Sequence, residues 1–181
     1  MNAVVTDTGK MLRRLLGGQM QLTMVLAPCL SRVEVDPVQL DQILMNLAIN
    51  ARDAMPKGGK LTIETSNVAL SDDRDAAHLD CHAGPRVLLA MTDTGCGMTP
   101  DVVERIFEPF FTTKEVGKGT GLGLPMVFGI VRQSGGCIHV YSEPGRGTTF
   151  EIYLPVAEEP NLESRSYLHS RQIQPSDHGA F

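Results

Sequence analysis

No stretch of this 181-residue chain is apolar for long enough to cross a bilayer, and Met1 to Lys10 lacks the shape of a signal peptide. The pattern gives no reason to expect a spanning helix, so the chain is expected to be cytoplasmic, alone or within a soluble or membrane-anchored parent. Cations are few and dispersed: 16 Lys and Arg against 21 Asp and Glu leave a net charge of −5. That excludes the electrostatic footprint of a nucleic-acid binder, and direct membrane contact is equally unexpected. The four cysteines (Cys29, Cys81, Cys96, Cys137) form no CxxC pair, so four separate reduced thiols are expected. Cys81 does lie in His78-Leu79-Asp80-Cys81-His82, yet one short loop cannot complete a tetrahedral metal set. A solvated loop is the better reading there.

Two nucleotide fingerprints are also missing. Each Gly-Lys pair is followed by Met, Leu or Gly, so no Walker P-loop exists. Gly95-Cys96-Gly97 has no third glycine at the dinucleotide-binding spacing. With 42% hydrophobic and 20% charged residues, what remains is one ordinary globular domain with length enough for a real core.

The organisation reads as follows. Residues 1–18 look like a lead-in segment rather than a full element, ending at Gly17-Gly18. Gln19 to Leu26 suits a strand, and Ser31 to Val35 a linker or short strand. Asp36 is placed to cap a helix with Pro37 at its first position and Gln39 completing a capping box. From Val38 to Met55, Leu40, Ile43, Leu44, Leu47, Ala51 and Ala54 recur at helical spacing. Lys60 to Asn67 and Arg86 to Thr92 predict strands, separated by a long polar loop over Val68 to Gly84. Pro100 to Ile106 predicts a short helix, and Phe107 to Thr120 a mobile loop. Gly121 to Ser134 predicts a helix closed by Gly135-Gly136, followed by strands at Cys137 to Ser142 and Thr148 to Pro155. Residues 157–181 are polar and aperiodic, a disordered tail or linker.

Against that background, one placement is costly. Asn46, Asn50 and Asp53, at i, i+4 and i+7, border the apolar face of the helix within about 60° of one another. A metal–phosphate site beside the core is one reason to give up burial there. Mg²⁺ takes hard oxygen donors and keeps several waters, so one or two amide oxygens suffice. Asp93 at a strand end could accept a hydrogen bond from an exocyclic amine, while Gly95 and Gly97 let the backbone approach the ring. The helix start at Gly121 to Leu124 offers unpaired N–H groups and a positive dipole end to phosphates, with Lys114 and Lys118 as counter-charge. Taken singly, the amides read as helix-surface residues, Asp93-Thr94-Gly95 as a turn, and the lysines as solvated charges. Their occurrence in order within one domain makes the case.

These segments closely resemble the ATP-binding catalytic domain of sensor histidine kinases, within the superfamily shared with DNA gyrase, mismatch-repair and heat-shock chaperone ATPases. The matching motifs are an N box (Asp41 to Met55), a first G box (Asp93 to Gly97), an F box (Phe107 to Phe111), a second G box (Gly119 to Leu124), and Gly145-Arg146-Gly147-Thr148. The resemblance spans residues 19 to about 155 and is nearest to the nitrogen-regulator-type and hybrid kinases. It implies a two-layer α/β sandwich, a mixed and mostly antiparallel sheet with helices on one face and an ATP lid over Phe107 to Thr120. It further implies that Asn50 ligates Mg²⁺, that Asn46 supports metal and phosphates, and that Asp93 holds the adenine amine with help from Thr148. Gly119, Thr120, Gly121, Leu122, Gly123 and Leu124 would cradle the phosphates of ATP. Asn46 and Lys114 are the implied catalytic groups. Asp53 stands where many histidine kinases carry a basic residue and agrees instead with the ATPase branches, as a phosphate contact or an orienter of metal-bound water.

The ATPase branches carry Glu at the position of Asn46. An amide cannot act as a general base, which favours transfer to an external nucleophile over hydrolysis. The implied acceptor is a histidine on a separate dimerisation domain, with a response regulator receiver domain downstream. None of His78, His82, His139, His169 and His178 has a suitable helical context. The chain is thus expected to be the catalytic half only, inactive for autophosphorylation by itself. The alternatives are a non-catalytic nucleotide-responsive module and, less well supported, a stand-alone hydrolase.

Overall fold

The computed structural model describes residues 1–71, 81–115 and 119–157. Helix α1 (Asn2–Leu16) leads into strand β1 (Met20–Leu26), and helix α2 (Pro37–Ala54) into β2 (Gly59–Leu70). Strand β3 (Gly84–Asp93) and the short helix α3 (Pro100–Val103) follow, then α4 (Gly123–Gln133), β4 (Cys137–Glu143) and β5 (Gly147–Pro155). The five strands form one sheet in the order β1-β2-β3-β5-β4, parallel between β1 and β2 and antiparallel elsewhere. This is the two-layer α/β sandwich with a mixed, mostly antiparallel sheet.

Alternation along the strands decides which face the helices cover. Leu61 and Ile63, Val87, Leu89 and Met91, and Phe150, Ile152 and Leu154 point one way and join α1, α2 and α4 in a single core. The opposite face holds a smaller cluster of Leu70, Cys137 and Tyr153 with Val68, Cys81 and Leu88. Asp93 and Thr148 sit in register on the helix-packed face, at the end of β3 and the start of β5.

Helix α2 starts as its sequence dictates. The Asp36 carboxylate accepts from the Val38 N–H at 2.7 Å, and Pro37 occupies the first turn, where a missing N–H costs nothing. Gln39 makes no return bond to Asp36 among the described residues, so the capping box is half built. Leu40, Ile43, Leu44, Leu47, Ala48 and Ala51 are buried along one stripe. Ile43 is fully buried beneath α1 and the sheet, so Ile43→Ala is expected to cost about 2–5 kcal/mol in denaturant unfolding.

Three sequence expectations need correction. Residues 2–16 are a full helix, not a lead-in: Val5 and Leu12 are completely buried, and α1 packs on α2 and β1. Its stripe was hard to read because two of its buried positions are Thr8 and Gly9. Thr8 bonds the Asp41 carboxylate and the Val4 carbonyl, while Gly9 leaves room for Met24, whose Sδ lies 2.6 Å from where a Cβ would stand. Second, β2 and β3 run beyond the expected strands, to Leu70 and from Gly84, shortening the polar excursion between them. Third, Cys81 and Cys137 are joined as a disulfide with Cα atoms 5.7 Å apart, leaving only Cys29 and Cys96 free. A sequence separation of 56 gives no hint of that pairing. His78 and Asp80, and the expected tail beyond Ala157, lie outside the described residues.

Candidate functional site

Asp93 is the only buried carboxylate among the described residues, 6% exposed. Its Oδ1 accepts the Gly95 N–H at 2.8 Å. Burial raises its pKa above the ordinary 3.8, and the backbone N–H groups of Gly95 and Thr148 offset only part of that rise.

The loop behind Asp93 is held from both sides. Cys96 N–H donates to the Ala54 carbonyl at 3.1 Å, and Thr94 exchanges bonds with the Lys60 backbone at 3.0 and 3.2 Å. On the other flank Gly145 N–H donates to the Cys96 carbonyl at 2.7 Å, and Met98 N–H to Ser142 Oγ at 2.8 Å. Gly97 has φ 65° and packs directly on the Glu143 carbonyl, so any side chain there would collide with backbone. Ser142, which sequence reasoning missed, also bonds Thr148 Oγ1 at 2.9 Å. It couples Thr148 to the loop; a lone polar residue in an edge strand gave no signal of this.

Asn46 and Asn50 lie half-buried on α2. The Asn46 amide nitrogen donates to the Gln42 carbonyl at 2.8 Å, which leaves its oxygen turned toward α4. A Cβ on Gly123 would stand 2.9 Å from that oxygen, so a larger residue there would push the Asn46 amide aside. Asn50 makes no side-chain hydrogen bond among the described residues, and its amide stands ready for an oxygen-seeking partner. At the α4 start, Leu122 is the N-cap and no side chain caps the turn, while Pro125 has no N–H to offer. The Leu122 N–H reaches Thr120 Oγ1 at 3.3 Å. Gly123 and Leu124 thus present first-turn donors beside Asn46.

The expected mobile loop is more ordered at its start than its composition suggests. Ile106 is buried, Phe107 stacks at 5.1 Å on Phe128 of α4, and the Arg105 guanidinium lies 4.3 Å from the Phe111 ring centroid. Phe110 N–H donates to the Gly121 carbonyl at 2.9 Å, tying the F box to the second G box. Gly119 packs against Thr112 and Lys114. Lys118 and Gly117 lie outside the described residues.

Lys114 is not poised over open space. Its Nζ meets Asp53 Oδ2 at 2.5 Å, and Arg52 approaches Asp53 Oδ1 at 3.1 Å. Burial pushes the Asp53 pKa up, but the hydrogen bonds and charges of Lys114 and Arg52 outweigh it and hold the carboxyl below 3.8. The pair links the lid to α2, one turn from Asn50.

A cavity of about 770 Å³ lies between the α1–β1 turn, the end of α2 and the lid. Asp53 and Lys114 line it, but Asn46, Asn50 and Asp93 do not. The donors and acceptors around Asp93, Asn50 and Gly123 lie outside that cavity.

With this geometry in place, comparison with known proteins gives the class. Residues 35–158 match the model of the family described as histidine kinase-, DNA gyrase B-, and HSP90-like ATPase, and the chain belongs to that family. Within it, the relatives include sensor kinases and sporulation kinases. Sensor kinase CckA of Brucella abortus is 49% identical over 152 residues, 84% of this chain but 16% of the relative. Sensor histidine kinase ZraS of Salmonella typhi is 39% identical over 138 residues, 76% of this chain and 26% of ZraS. This chain is accordingly an ATP-binding catalytic domain of the sensor-histidine-kinase type, and it spans about a quarter or less of those relatives' lengths.

Solved structures agree. The nucleotide-free catalytic domain of histidine kinase ThkA superimposes with a TM-score of 0.67 at 25% identity, covering 86% of this chain and 92% of ThkA's. Full-length ShkA in complex with AMPPNP gives 0.65 at 27% identity, covering 87% of this chain and 30% of ShkA's. Among the described residues no helix is long and apolar enough to cross a membrane.

Proposed function

We propose that this domain binds Mg-ATP and transfers the γ-phosphate to a histidine on a separate helical dimerisation domain, from which a response regulator receiver domain is then charged. The observation that carries the reading is Asn46, an amide with its oxygen against the α4 start, where a hydrolase needs a carboxylate base. Asp93 accepts from the adenine amine in a dry setting, and Thr148, held by Ser142, backs it. Gly95 and Gly97 shape the loop beneath the ring. Gly119, Thr120, Gly121, Leu122, Gly123 and Leu124 surround the phosphates at the helix start, where backbone N–H groups and the positive dipole end act together.

The donor set fits Mg²⁺. Asn50 offers an uncommitted hard oxygen and Asn46 a second nearby; two neutral amides suit a cation that keeps most of its waters. When bound there, the metal supplies charge neutralisation at the phosphates. The protein's own share is to fix the nucleotide, exclude water under the lid and deliver the Lys114 ammonium to the transferring group. Asp53 serves as the resting partner of Lys114 rather than as a phosphate ligand.

The test mixes the chain with a histidine-bearing dimerisation domain and ATP labelled at the γ-phosphate. Acid-labile label is expected on the added domain, with little phosphate release by this chain alone. Asn50→Ala should abolish the Mg²⁺ dependence of nucleotide binding. Mg-ATP binding and docking without transfer would instead support a nucleotide-responsive module. Rapid turnover by the isolated chain would favour a hydrolase.

A further inference from the structure

On the face of the sheet away from the helices, Cys81 from the run into β3 and Cys137 at the start of β4 are brought together. Cys137 opens β4 and is 1% exposed, whereas Cys81 is half-buried beside a small cavity of about 170 Å³. That cavity is lined by Cys81, His82, Arg86, Arg132, Gly135 and Gly136. Arg86, itself 6% exposed, donates to the His82 carbonyl at 2.8 Å and the Gly135 carbonyl at 3.1 Å. The guanidinium thus bridges the same two segments as the sulfurs: the run into β3 and the turn between α4 and β4. Arg86 therefore ties these backbones together independently of the sulfurs. Cα atoms 5.7 Å apart lie inside the span a disulfide needs, so closing it demands no rearrangement.

We propose that Cys81–Cys137 is a reversible redox site, exchanged with a low-molecular-weight disulfide of the glutathione type that reaches Cys81 from the cavity side. Arg86 and Arg132 line the opening beside Cys81. Cys81 is the accessible sulfur and Cys137 the resolving one. In the oxidising direction the Cys81 thiolate attacks the small disulfide (RSSR), forming Cys81–S–S–R and releasing one RS⁻. The Cys137 thiolate then attacks the Cys81 sulfur, closing the bond and releasing the second RS⁻. The net change is two protein thiols plus RSSR giving one protein disulfide plus two RSH, with both electrons passing to the small molecule.

The full chain is equilibrated in glutathione buffers of graded redox poise, quenched with acid, alkylated and weighed, and the alkylated cysteines are mapped. The expected result is loss of two alkylation sites, at Cys81 and Cys137 together, across an intermediate range of poise and reversibly in both directions. Cys29 and Cys96 should alkylate throughout. The oxidised form should melt about 5–10 °C above the reduced form, because a link between residues 56 apart restricts the unfolded chain. Cys81→Ser, at the accessible position, should remove both the mass transition and the melting difference even if Cys137→Ser folds poorly. Four alkylated cysteines at every poise would overturn the proposal. So would a bond that persists in strongly reducing buffer, or a cross-link through Cys29 or Cys96. None of these outcomes depends on whether the domain transfers phosphate.

Discussion

Replacing Asp93 with Asn is expected to weaken ATP binding by about 10- to 100-fold and to leave the folded chain at least as stable at pH 7. The first half follows from losing a charged acceptor for the adenine amine, since hydrogen bonds to charged groups contribute about 1.5–3 kcal/mol. The second follows from burial. A carboxyl whose folded pKa lies above its unfolded value favours the folded state fully at pH below 3.8, and that contribution is lost as pH rises through the raised value. At pH 7 the charged Asp93 therefore works against folding, and Asn relieves it while keeping an oxygen for the Gly95 N–H. Calorimetric melting beside a nucleotide titration separates the two effects. Base identity sharpens the test. The native site should prefer ATP over ITP, whose six-position oxygen cannot donate. Asp93→Asn should erase that preference, because its amide can donate to the oxygen instead. A variant that keeps strong ATP preference would place the adenine elsewhere.

That a buried carboxylate sits where it costs stability also explains why it could be read in the chain. Asp93 ends a run of buried residues, Val87, Leu89 and Met91, at a position where the strand pattern calls for another apolar side chain. Asn46 and Asn50 were legible for the same reason, as amides edging the stripe that runs from Leu40 to Ala51. In both places a local rule is broken beside strong local order, and the break is visible against it. The Asp36 cap and the Gly135-Gly136 stop were legible because capping is local chemistry. What escaped was tertiary. Ser142 and Thr148 meet across a turn, Arg86 reaches the Gly135 carbonyl from 49 positions away, and Lys114 finds Asp53 across 61. For the two long-range pairs, nothing in the residues near either partner encodes the contact; it exists only once the fold has brought the segments together. Helix α1 escaped differently, since its buried Thr8 and Gly9 look polar or permissive until Asp41 and Met24 are seen to occupy them.

The Lys114–Asp53 pair leads to the second large effect. Lys114→Ala is expected to reduce phosphotransfer to a supplied histidine domain about 100-fold, with a much smaller change in ATP affinity, because the ammonium acts on charge that develops during transfer. Asp53→Asn should behave in the opposite sense. The ion pair is about one-third exposed on each side, which limits it to roughly 1 kcal/mol or less, so triphosphate outcompetes it readily. Releasing the lysine should then leave transfer within a few-fold of native at saturating ATP and make ATP binding equal or slightly tighter. Added salt should narrow the difference in binding between native chain and Asp53→Asn, since it screens the pair. The pair also persists through the neutral range. With the Asp53 pKa held below 3.8, its stabilising contribution is present above that value and lost only as pH falls through the lowered one. If Asp53 instead touched the phosphates or a metal-bound water, Asp53→Asn would lose transfer as steeply as Lys114→Ala. Measuring both variants and their double then separates the two roles. A double variant no worse than Lys114→Ala alone means that the carboxylate acts through the lysine, and further loss means that it acts on the nucleotide directly.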